Sequence, residues 1–510
     1  MGCSPTLKVD VKIDMRNNYE IDKLNNIKKN ILIPQENDDP LLFYSIIEFI
    51  KHSKHSTVYK VKHIKSSEIR IMKIYEENSS NITKADIKNQ INILKTLSHP
   101  QIIKLYEVYY FSNKVYLIYE YCPDGNLFEY ITKMGKLNEN KTRQIIHQII
   151  TALNYCHLNK IILCNLSPEH IVVQNKTNKN SLWVKIIDFG AFNLIEKNNN
   201  NSKIKNNIIS YGYKRVSNLC VIPPEDDLSE KTDIWSCGVI MYFLLSGDYP
   251  FKGKNSYEIK QEINNFNSRK INFEGEIWNE ISIDGINFLK KLLELNPFNR
   301  PNTKVLLEDN WIKKYNDFNE KIYTSNAFKN AIKNAKNYQN KNQIKNWLMS
   351  FIIHNFIKIE DLDSLRKCFL ILDKDADGKI TKDDLLFALK KNMNDNEAEN
   401  DSNLIINNIK SYDGNINYDD FIKSTMNIKD LLNDKNLTLI FKLIDKEKKG
   451  KVSKDDIKNF FCNHNNYNGN EDFYNFDGHD IFLDFVNKLD INGDGKLNLK
   501  EFKQLKKKYT

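Results

Sequence analysis

Two segments near the carboxyl end of the chain place oxygen-bearing side chains at alternate positions. Residues 373–384 read DKDADGKITKDD, and residues 490–501 read DINGDGKLNLKE. Calcium takes six to eight oxygen ligands, and one tight loop supplies them from side chains at positions 1, 3, 5 and 12 and from the carbonyl at position 7. The residues at these positions are Asp373, Asp375, Asp377, Lys379 and Asp384 in the first segment, and Asp490, Asn492, Asp494, Lys496 and Glu501 in the second. Both segments therefore predict a calcium site.

Two further copies of the pattern lie between them and are damaged. Residues 409–420 begin with Ile409 where a carboxylate is needed, and residues 445–456 carry Lys449 at a ligand position. We expect neither to bind calcium tightly, whereas their flanking apolar helices still favour pairing with the intact loops. The first intact loop ends in Asp384, whose side chain is shorter than that of glutamate, so we expect weaker calcium affinity there.

A second set of short motifs runs through the first 314 residues. In chain order they are IMK at Lys73, LSHP ending at Pro100, NLSPEH from Asn165, IIDFG with Asp188, DIWSCG from Asp233 and NPFNRP around Arg300. One such motif is weak evidence, but six in this order indicate one fold.

These motifs resemble those of eukaryotic protein kinases, and the four acidic repeats resemble EF-hands. A kinase-like domain, a junction and four EF-hands is the layout of the calcium-dependent protein kinases of plants and protists. The resemblance implies Ca²⁺ as a cofactor, an ATP site in which Lys73 contacts phosphate, and a metal ligand at Asp188. It also implies that the junction helix occupies the substrate groove until calcium draws it into the EF-hands.

The positions that perform chemistry depart from the kinase pattern. Asn165 stands where a catalytic aspartate would accept the proton of the substrate hydroxyl, and a carboxamide is no general base. His170 replaces the metal-binding asparagine, although Mg²⁺ prefers oxygen ligands. Gln90 replaces the glutamate partner of Lys73. The hairpin expected to cover the phosphates has other residues where glycines are expected, namely Lys51, His52, Ser53 and Ser56. Mg-ATP binding at Lys73 and Asp188 therefore stays open, with packing or a surface salt bridge as the alternative reason for both residues.

The elements needed to position these residues define the predicted fold. Apolar alternation before residue 122 predicts a small sheet-rich lobe, and helical spacing after residue 127 predicts a larger helical lobe. We expect an α+β chain, a two-lobed kinase-like domain followed by an all-α, calmodulin-like EF-hand domain. The predicted segments are a flexible amino-terminal segment at 1–43, the kinase-like domain at 44–314, a helical autoinhibitory junction at 315–359, and EF-hand pairs at 360–431 and 432–510.

Within the junction, residues 328–352 carry a cluster of large apolar side chains. Trp347 and Phe351 are expected to anchor in an EF-hand groove. The alternative is a helix that packs on the kinase-like core.

The first six residues, MGCSPT, match the pattern for myristoylation at Gly2, and Cys3 beside it can take a palmitoyl group. Two acyl chains give stable anchoring where one is marginal. We therefore expect a peripheral membrane protein on the cytoplasmic face.

Charge separates the two parts of the chain. The net charge is +9, but residues 361–510 contain 25 basic and 28 acidic side chains. The excess of positive charge therefore lies in residues 1–360. The lysines are scattered among asparagines and isoleucines rather than clustered with aromatics, which argues against a nucleic-acid partner. The eight cysteines show no pairing framework, which favours a reducing compartment.

Three functions fit these observations. The leading hypothesis is a calcium-responsive pseudokinase that serves as a switchable binding platform at membranes. The second is an active Ser/Thr kinase with atypical catalytic residues, and the third is a calcium sensor or buffer whose kinase-like part is inert. The sequence names no protein partner or substrate.

Overall fold

The computed structural model describes most of the chain with several gaps. The described residues are 35–53, 56–76, 84–175, 182–189, 221, 223–225, 229–253, 255–265, 276–317, 322–338, 343–357, 359–409, 414–445, 447–462 and 481–509. The predicted acylation sites Gly2 and Cys3 lie outside these residues. Within them, no helix combines the length and apolar character needed to cross a membrane.

A six-stranded sheet and one helix form the small lobe. The strands are β1 (Gln35–Glu36), β2 (Tyr44–His52), β3 (Ser56–His63), β4 (Ile69–Glu76), β5 (Leu105–Phe111) and β6 (Lys114–Glu120), and the helix is α1 (Lys84–Thr96). Their order across the sheet is β1-β5-β6-β4-β3-β2. Strand β1 precedes residue 44, the predicted start of the kinase-like domain, and its parallel pairing with β5 satisfies backbone groups at the edge of the sheet.

Helices and one short hairpin form the large lobe. The helices are α2 (Leu127–Met134), α3 (Glu139–Leu158), α4 (Glu230–Ser246), α5 (Ser256–Asn265), α6 (Glu276–Asn279), α7 (Ile283–Leu292), α8 (Thr303–Leu307) and α9 (Asn310–Asp317), and the hairpin pairs β7 (Ile171–Asn175) with β8 (Leu182–Ile186). The predicted boundary at residue 314 falls inside α9. Leu94, Leu163 and Phe189 are all buried in the core that runs through both lobes.

Asp233 on α4 holds the backbone of the loop that precedes β7. Its carboxylate accepts hydrogen bonds from the amides of Leu163 and Cys164 at 3.0 and 2.8 Å, and His157 lies 2.9 Å away. Asp233 is fully buried, so these donors have no access to water as a replacement partner. Arg300, which precedes α8, makes a second buried polar contact, because it donates two hydrogen bonds of 2.8 and 3.0 Å to the carboxylate of Glu225.

The remaining helices form the calcium module. They are α10 (Asn326–Asn337), α11 (Gln343–Asn355), α12 (Ile359–Leu372), α13 (Lys382–Leu389), α14 (Asp395–Ile409), α15 (Tyr418–Thr425), α16 (Ile428–Leu431), α17 (Asp434–Ile444), α18 (Lys454–Cys462), α19 (Ile481–Leu489), α20 (Leu499–Phe502) and α21 (Gln504–Tyr509). Short antiparallel pairs join the loops two by two, β9 (Lys379–Ile380) with β10 (Ile416–Asn417) and β11 (Lys451–Ser453) with β12 (Lys496–Asn498). Each intact loop is therefore paired with a damaged one.

The junction helices α10 and α11 belong to the core of this module. Phe328, Leu348 and Ile352 are buried together with the apolar residues of the EF-hand helices. The ring of Trp347 lies 5.7 Å from that of Phe482, and the ring of Phe351 lies 4.9 Å from that of Phe460. The apolar cluster predicted at residues 328–352 thus packs against EF-hand helices, and the alternative of a helix within the kinase-like core is wrong for these side chains.

The calcium module rests on the kinase-like domain through buried polar contacts. Arg366 of α12 lies 3.5 Å from Glu120 at the end of β6, and Lys185 of β8 lies 2.8 Å from the same carboxylate. On the large lobe, the side-chain amide of Asn154 donates to the carbonyls of Asp375 and Ala376 at 3.1 and 2.9 Å. The first intact calcium loop is therefore part of the interface between the two domains.

Substitution of Asp233 by alanine should destabilise the kinase-like domain by about 3 kcal/mol or more, because two buried amides lose their acceptor. Urea denaturation followed by tryptophan fluorescence measures the loss. The control is Asp248→Ala, since the exposed carboxylate of Asp248 pairs with Lys252 and accepts a hydrogen bond from the Tyr249 amide, and the loss of these exposed contacts should cost less than about 1 kcal/mol. Equal effects of the two substitutions would contradict the anchoring role of Asp233.

Candidate functional site

Lys73 and Asp188 meet in the cleft between the two lobes. Lys73 lies on the central strand β4, and Asp188 follows β8 directly. The Lys73 Nζ donates to Asp188 Oδ1 at 2.7 Å. Burial alone would raise the pKa of Asp188, but the charges of Lys73, His170 and Lys51 and the hydrogen bond from Lys73 together outweigh it and hold that pKa below its ordinary value. The structure therefore brings the two predicted nucleotide-site residues together as an ion pair.

Gln90 does not bind the ammonium of Lys73. Its side-chain oxygen accepts a hydrogen bond from the Tyr75 hydroxyl at 3.1 Å. The Nζ of Lys73 lies over the Tyr75 ring, 5.1 Å from its centre. The expectation that Gln90 contacts Lys73 as a neutral substitute for glutamate is wrong, because the side-chain amide of Gln90 is hydrogen-bonded to Tyr75 instead. Tyr75 carried no motif signal, since its place in an apolar strand predicted only packing.

Asn165 is buried in the loop anchored by Asp233. Its backbone carbonyl accepts a hydrogen bond from His170 Nδ1 at 2.7 Å. The preceding residue, Cys164, has a φ of +57°, and Asp188 has a φ of +67°. Such left-handed conformations are uncommon outside glycine and cluster at functional sites. The loop is thus held in a defined shape around a residue that cannot act as a general base.

The hairpin between β2 and β3 has a turn closed by side chains. The Ser53 amide donates to the Ser56 carbonyl at 2.8 Å, and the Ser56 amide donates to the Ser53 hydroxyl at 3.1 Å. His52 lies 2.9 Å from the Thr57 hydroxyl. In a glycine-rich hairpin, bare backbone approaches the phosphates. Here the serine and histidine side chains take part in the turn itself.

The donor set beside Asp188 differs from what Mg²⁺ requires. His170 Nε2 lies 3.5 Å from Asp188 Oδ2, and the other oxygen of Asp188 is held by Lys73. Mg²⁺ takes octahedral oxygen ligands, whereas this site offers one imidazole nitrogen and one carboxylate oxygen. The residues present therefore do not fit Mg²⁺ well.

The first intact calcium loop gathers its carboxylates tightly. Ligand oxygens of Asp373, Asp375 and Asp377 all lie within 4.8 Å of one another. Burial and the neighbouring carboxylates raise the pKa of Asp373 well above its usual value, as expected where a cation would offset them. Asp384 is turned elsewhere, because its carboxylate accepts from the amide and hydroxyl of Thr381 at 2.9 and 2.6 Å and caps α13.

The last calcium loop differs at its twelfth position. Glu501 reaches back into the loop, where Oε1 accepts from the amides of Ile491 and Asn492 at 3.2 and 3.3 Å. Asp490 receives the amides of Gly493 and Gly495, which shapes the turn around the ligand positions. Glu501 thus reaches the ligand positions with Oε1 while Oε2 accepts from the Asn498 amide at the start of α20, whereas Asp384 contacts only the start of α13 in the hydrogen bonds described for it.

The damaged loops have taken other roles. Ile409 is buried in the core of the module. Lys449 is exposed at the ligand position of the third loop, where it pairs with Glu447. Lys451 of the same loop reaches across to Asp494, a predicted ligand of the last loop, at 2.5 Å. This cross-loop contact could not be predicted from spacing, because Lys451 occupies the position that contributes only a carbonyl.

The two intact loops should respond differently to substitution at position 12. Glu501→Gln should weaken calcium binding by about ten-fold or more, because the loop loses a charged ligand that already points inward. Asp384→Glu should strengthen the first loop several-fold by extending the carboxylate past the helix cap. Isothermal titration with Ca²⁺ measures both, and Glu447→Gln outside the intact loops serves as control. An unchanged isotherm for Glu501→Gln would rule out the last loop as a calcium site.

Removal of the Lys451 side-chain charge should raise the calcium affinity of the last loop. The hydrogen bond from Lys451 lowers the pKa of Asp494 and neutralises part of its charge, although both groups are solvent-exposed. Lys451→Gln should therefore tighten binding by about two- to five-fold at low salt, and the gain should shrink as salt screens the pair. The matched control is Lys449→Gln, whose partner is not a predicted ligand of an intact loop. Equal gains from both variants would show only a general charge effect.

Comparison with known proteins agrees with this arrangement. The family model for the protein kinase domain matches residues 44–312. EF-hand models match residues 365–388 and 485–506, and a model for an EF-hand domain pair matches residues 413–462.

Curated relatives share both parts. Calcium-dependent protein kinase 4 of Plasmodium falciparum is 29% identical over 81% of this chain and 76% of its own length. Calcium-dependent protein kinase 5 of Plasmodium berghei is 30% identical over 72% of this chain and 62% of its own length. Calcium-dependent protein kinase 19 of Arabidopsis thaliana is 28% identical over 79% of this chain and 69% of its own length. The chain therefore belongs to the protein kinase family, within its calcium-dependent, EF-hand-bearing branch.

Proposed function

We propose that this protein is a calcium-responsive pseudokinase, a member of the calcium-dependent protein kinase family that has lost efficient phosphotransfer and acts as a switchable binding platform at a membrane. The observation that carries the proposal is Asn165 at the base position. A positioned general base contributes about 10²–10⁴-fold to proton transfer, and a carboxamide has no basic site at neutral pH.

The cleft supports the same view. Lys73 and Asp188 neutralise each other at 2.7 Å. Phosphoryl transfer needs the lysine on the phosphates and the aspartate on the metal, so a nucleotide would have to break this partly buried pair before binding productively. His170 beside Asp188 further removes an oxygen ligand from the metal site.

The calcium response follows from the docking of the first intact loop. Asn154 of the kinase-like domain donates to the carbonyls of Asp375 and Ala376, which are not the ligand carbonyl of that loop. A glycine at 378 is also required there, because a Cβ would meet the Tyr155 ring at 2.3 Å. Because calcium binding and docking use one loop, any change that calcium makes in the free energy of docking is matched by an equal change that docking makes in the free energy of calcium binding.

The second candidate is an active Ser/Thr kinase with atypical catalytic residues. The bidentate Arg300–Glu225 pair, the Asp233 anchor and the buried Phe189 favour it, because they maintain the shape that catalysis needs. The relatives' names, calcium-dependent protein kinases, also favour it.

A phosphotransfer assay separates the two candidates. The full chain, saturated with Ca²⁺ and supplied with Mg²⁺ and ATP labelled at the γ-phosphate, should transfer no more label to a Ser/Thr peptide or to itself than Asp188→Ala does. Asn165→Asp should raise transfer if the missing base limits the rate. Calcium-stimulated transfer in the wild type that disappears in Asp188→Ala would establish the active kinase instead.

The platform role predicts that calcium changes the interface around Asn154. Hydrogen exchange of α3 should differ between calcium-free and calcium-saturated protein, and Asn154→Ala should reduce that difference, with exposed Asn140→Ala on the same helix as control. Equal hydrogen exchange of α3 with and without calcium would favour the third hypothesis, a calcium sensor or buffer whose kinase-like part is inert.

Membrane attachment through acyl groups at Gly2 and Cys3 forms the last part of the proposal, with the protein on the cytoplasmic face. It rests on the MGCSPT pattern. Gly2→Ala should move the protein from the membrane to the soluble fraction of cells, and Cys3→Ser should weaken attachment in part. Unchanged fractionation of Gly2→Ala would remove the anchor from the proposal.

A further inference from the structure

The last calcium loop is surrounded by an excess of lysine. Residues 488–508 hold seven lysines and three acidic side chains, and all three acidic residues are predicted calcium ligands. The matching window of the first intact loop, residues 371–391, holds five basic and five acidic side chains. The two loops therefore share a ligand pattern but differ in the charge around it. A net charge of +4 before any ion binds favours an anionic partner at the last loop.

Helix α21 brings a group of lysines to this loop. Leu505 is buried in the core of the calcium module, which holds α21 against the other helices. The Nζ of Lys508 donates to the carbonyl of Lys488, just before the loop, at 3.1 Å. The side chain of Lys488 is itself exposed. The other exposed lysines of α21 are Lys506 and Lys507. Positive charges from α21 and from the end of α19 thus lie beside the start of the last calcium loop.

This basic surface is separate from the contact between α17 and the small lobe. Lys506 Nζ lies 3.4 Å from Asp434 Oδ1 at the first residue of α17, which offsets part of its charge. Near the other end of α17, Lys65 of the small lobe donates to the carbonyl of Lys442 at 3.4 Å. Eight residues of helix, about 12 Å, separate the two contacts. The lysines of α21 are therefore accessible while the module rests on the kinase-like domain.

An exposed apolar side chain lies in the same loop. Ile491, at the second loop position, is 75% exposed. Its backbone is held in place, because its amide donates to Glu501 Oε1 at 3.2 Å. The first intact loop has Lys374 at this position, with its Nζ 3.6 Å from the centre of the Phe387 ring. An apolar side chain beside lysines suits a lipid surface, where the apolar group enters the interface and the cations meet anionic headgroups.

We propose that Ile491 and the exposed lysines of α21 bind an anionic phospholipid surface when calcium occupies the last loop. The three carboxylates of the empty loop repel such a surface. One bound Ca²⁺ offsets two of their charges and raises the net charge of residues 488–508 from +4 to +6. This contact is made by the folded chain and does not depend on acyl groups at the amino terminus. It is therefore distinct from the anchor proposed above, and each can fail without the other.

The experiment measures sedimentation of the full-length chain with lipid vesicles. The chain carries Gly2→Ala, so that no myristoyl group contributes to binding. Vesicles of phosphatidylcholine with about one third phosphatidylserine should bind it in Ca²⁺ at least about ten-fold more tightly than vesicles of phosphatidylcholine alone. A calcium chelator should weaken binding about five-fold, and added salt should weaken it further because it screens the lysines.

A pair of matched variants tests the lysines of α21. One variant combines Lys506→Gln, Lys507→Gln and Lys508→Gln. The control removes the same charge around the first intact loop by combining Lys374→Gln, Lys390→Gln and Lys391→Gln. Each lysine at an anionic bilayer contributes about five-fold to affinity, so the first variant should lose about ten-fold or more. The control should change binding by less than about two-fold.

Single substitutions test the apolar contact and the role of calcium. Ile491→Ser should weaken vesicle binding several-fold, while calcium binding measured by calorimetry stays unchanged because the second loop position supplies no ligand. Glu501→Gln should bind vesicles in Ca²⁺ no better than the wild type does in chelator. Since both are compared with the same lipid, this separates calcium held by the loop from calcium adsorbed on phosphatidylserine.

Three results would overturn the proposal. The first is a failure of the chain to bind phosphatidylserine vesicles in saturating Ca²⁺. The second is an equal loss from the two triple variants, which would show an effect of net charge alone. The third is binding to heparin, an anionic polymer with no apolar layer, as tightly as to vesicles, together with vesicle binding that Ile491→Ser leaves unchanged. That result would make the surface a general anion site and not a lipid site.

Discussion

Three buried charges hold this protein together at one point. Glu120 ends the last strand of the small lobe, Lys185 lies on β8 of the large lobe, and Arg366 lies on α12 of the calcium module, each no more than 6% exposed at its side chain. Burial alone would raise the pKa of Glu120, but the two cations hold it below its ordinary value. A single buried charge is costly, and removal of one partner leaves the others uncompensated. The position of the module against both lobes is therefore set by the need to keep these charges paired.

That constraint explains why the two intact calcium loops are not equivalent. The first follows α12, the helix that carries Arg366, so it is brought against Asn154 and Tyr155 of the large lobe. The last loop has its own strand pair with a damaged partner, whose Lys451 touches Asp494. The surroundings of the first loop therefore include the kinase-like domain, whereas the surroundings of the last loop lie mainly within the calcium module. The calcium affinities of the two sites are therefore set separately by the residues around each loop, more than by the ligands that each loop supplies.

Features encoded within a few residues were predictable from the sequence. The calcium loops depend on spacing within twelve residues, and Asp233, Arg300 and Asp188 were recognisable because each stands in a short motif of fixed order. The failures involve contacts between distant segments. Gln90 was paired with Lys73 by register alone, but the hydroxyl of Tyr75 intervenes. Asn154 and Arg366 carried no signal, since a lone polar residue on a helix gives no indication of the surface that will cover it. Strand β1 also carried no signal, because a two-residue strand has no periodicity to detect.

Lys73 and Asp188 are retained, whereas Asn165 and His170 stand where the kinase pattern has an aspartate and an asparagine. In a catalytic cleft the two retained residues act on different groups, the phosphates and the metal. Here they satisfy each other, so their presence is explained by electrostatics without a nucleotide. Removal of either would leave a partly buried charge beside Tyr75 and His170 with no opposite partner, which is a structural reason for both to remain. The intact motif is therefore weak evidence for phosphotransfer.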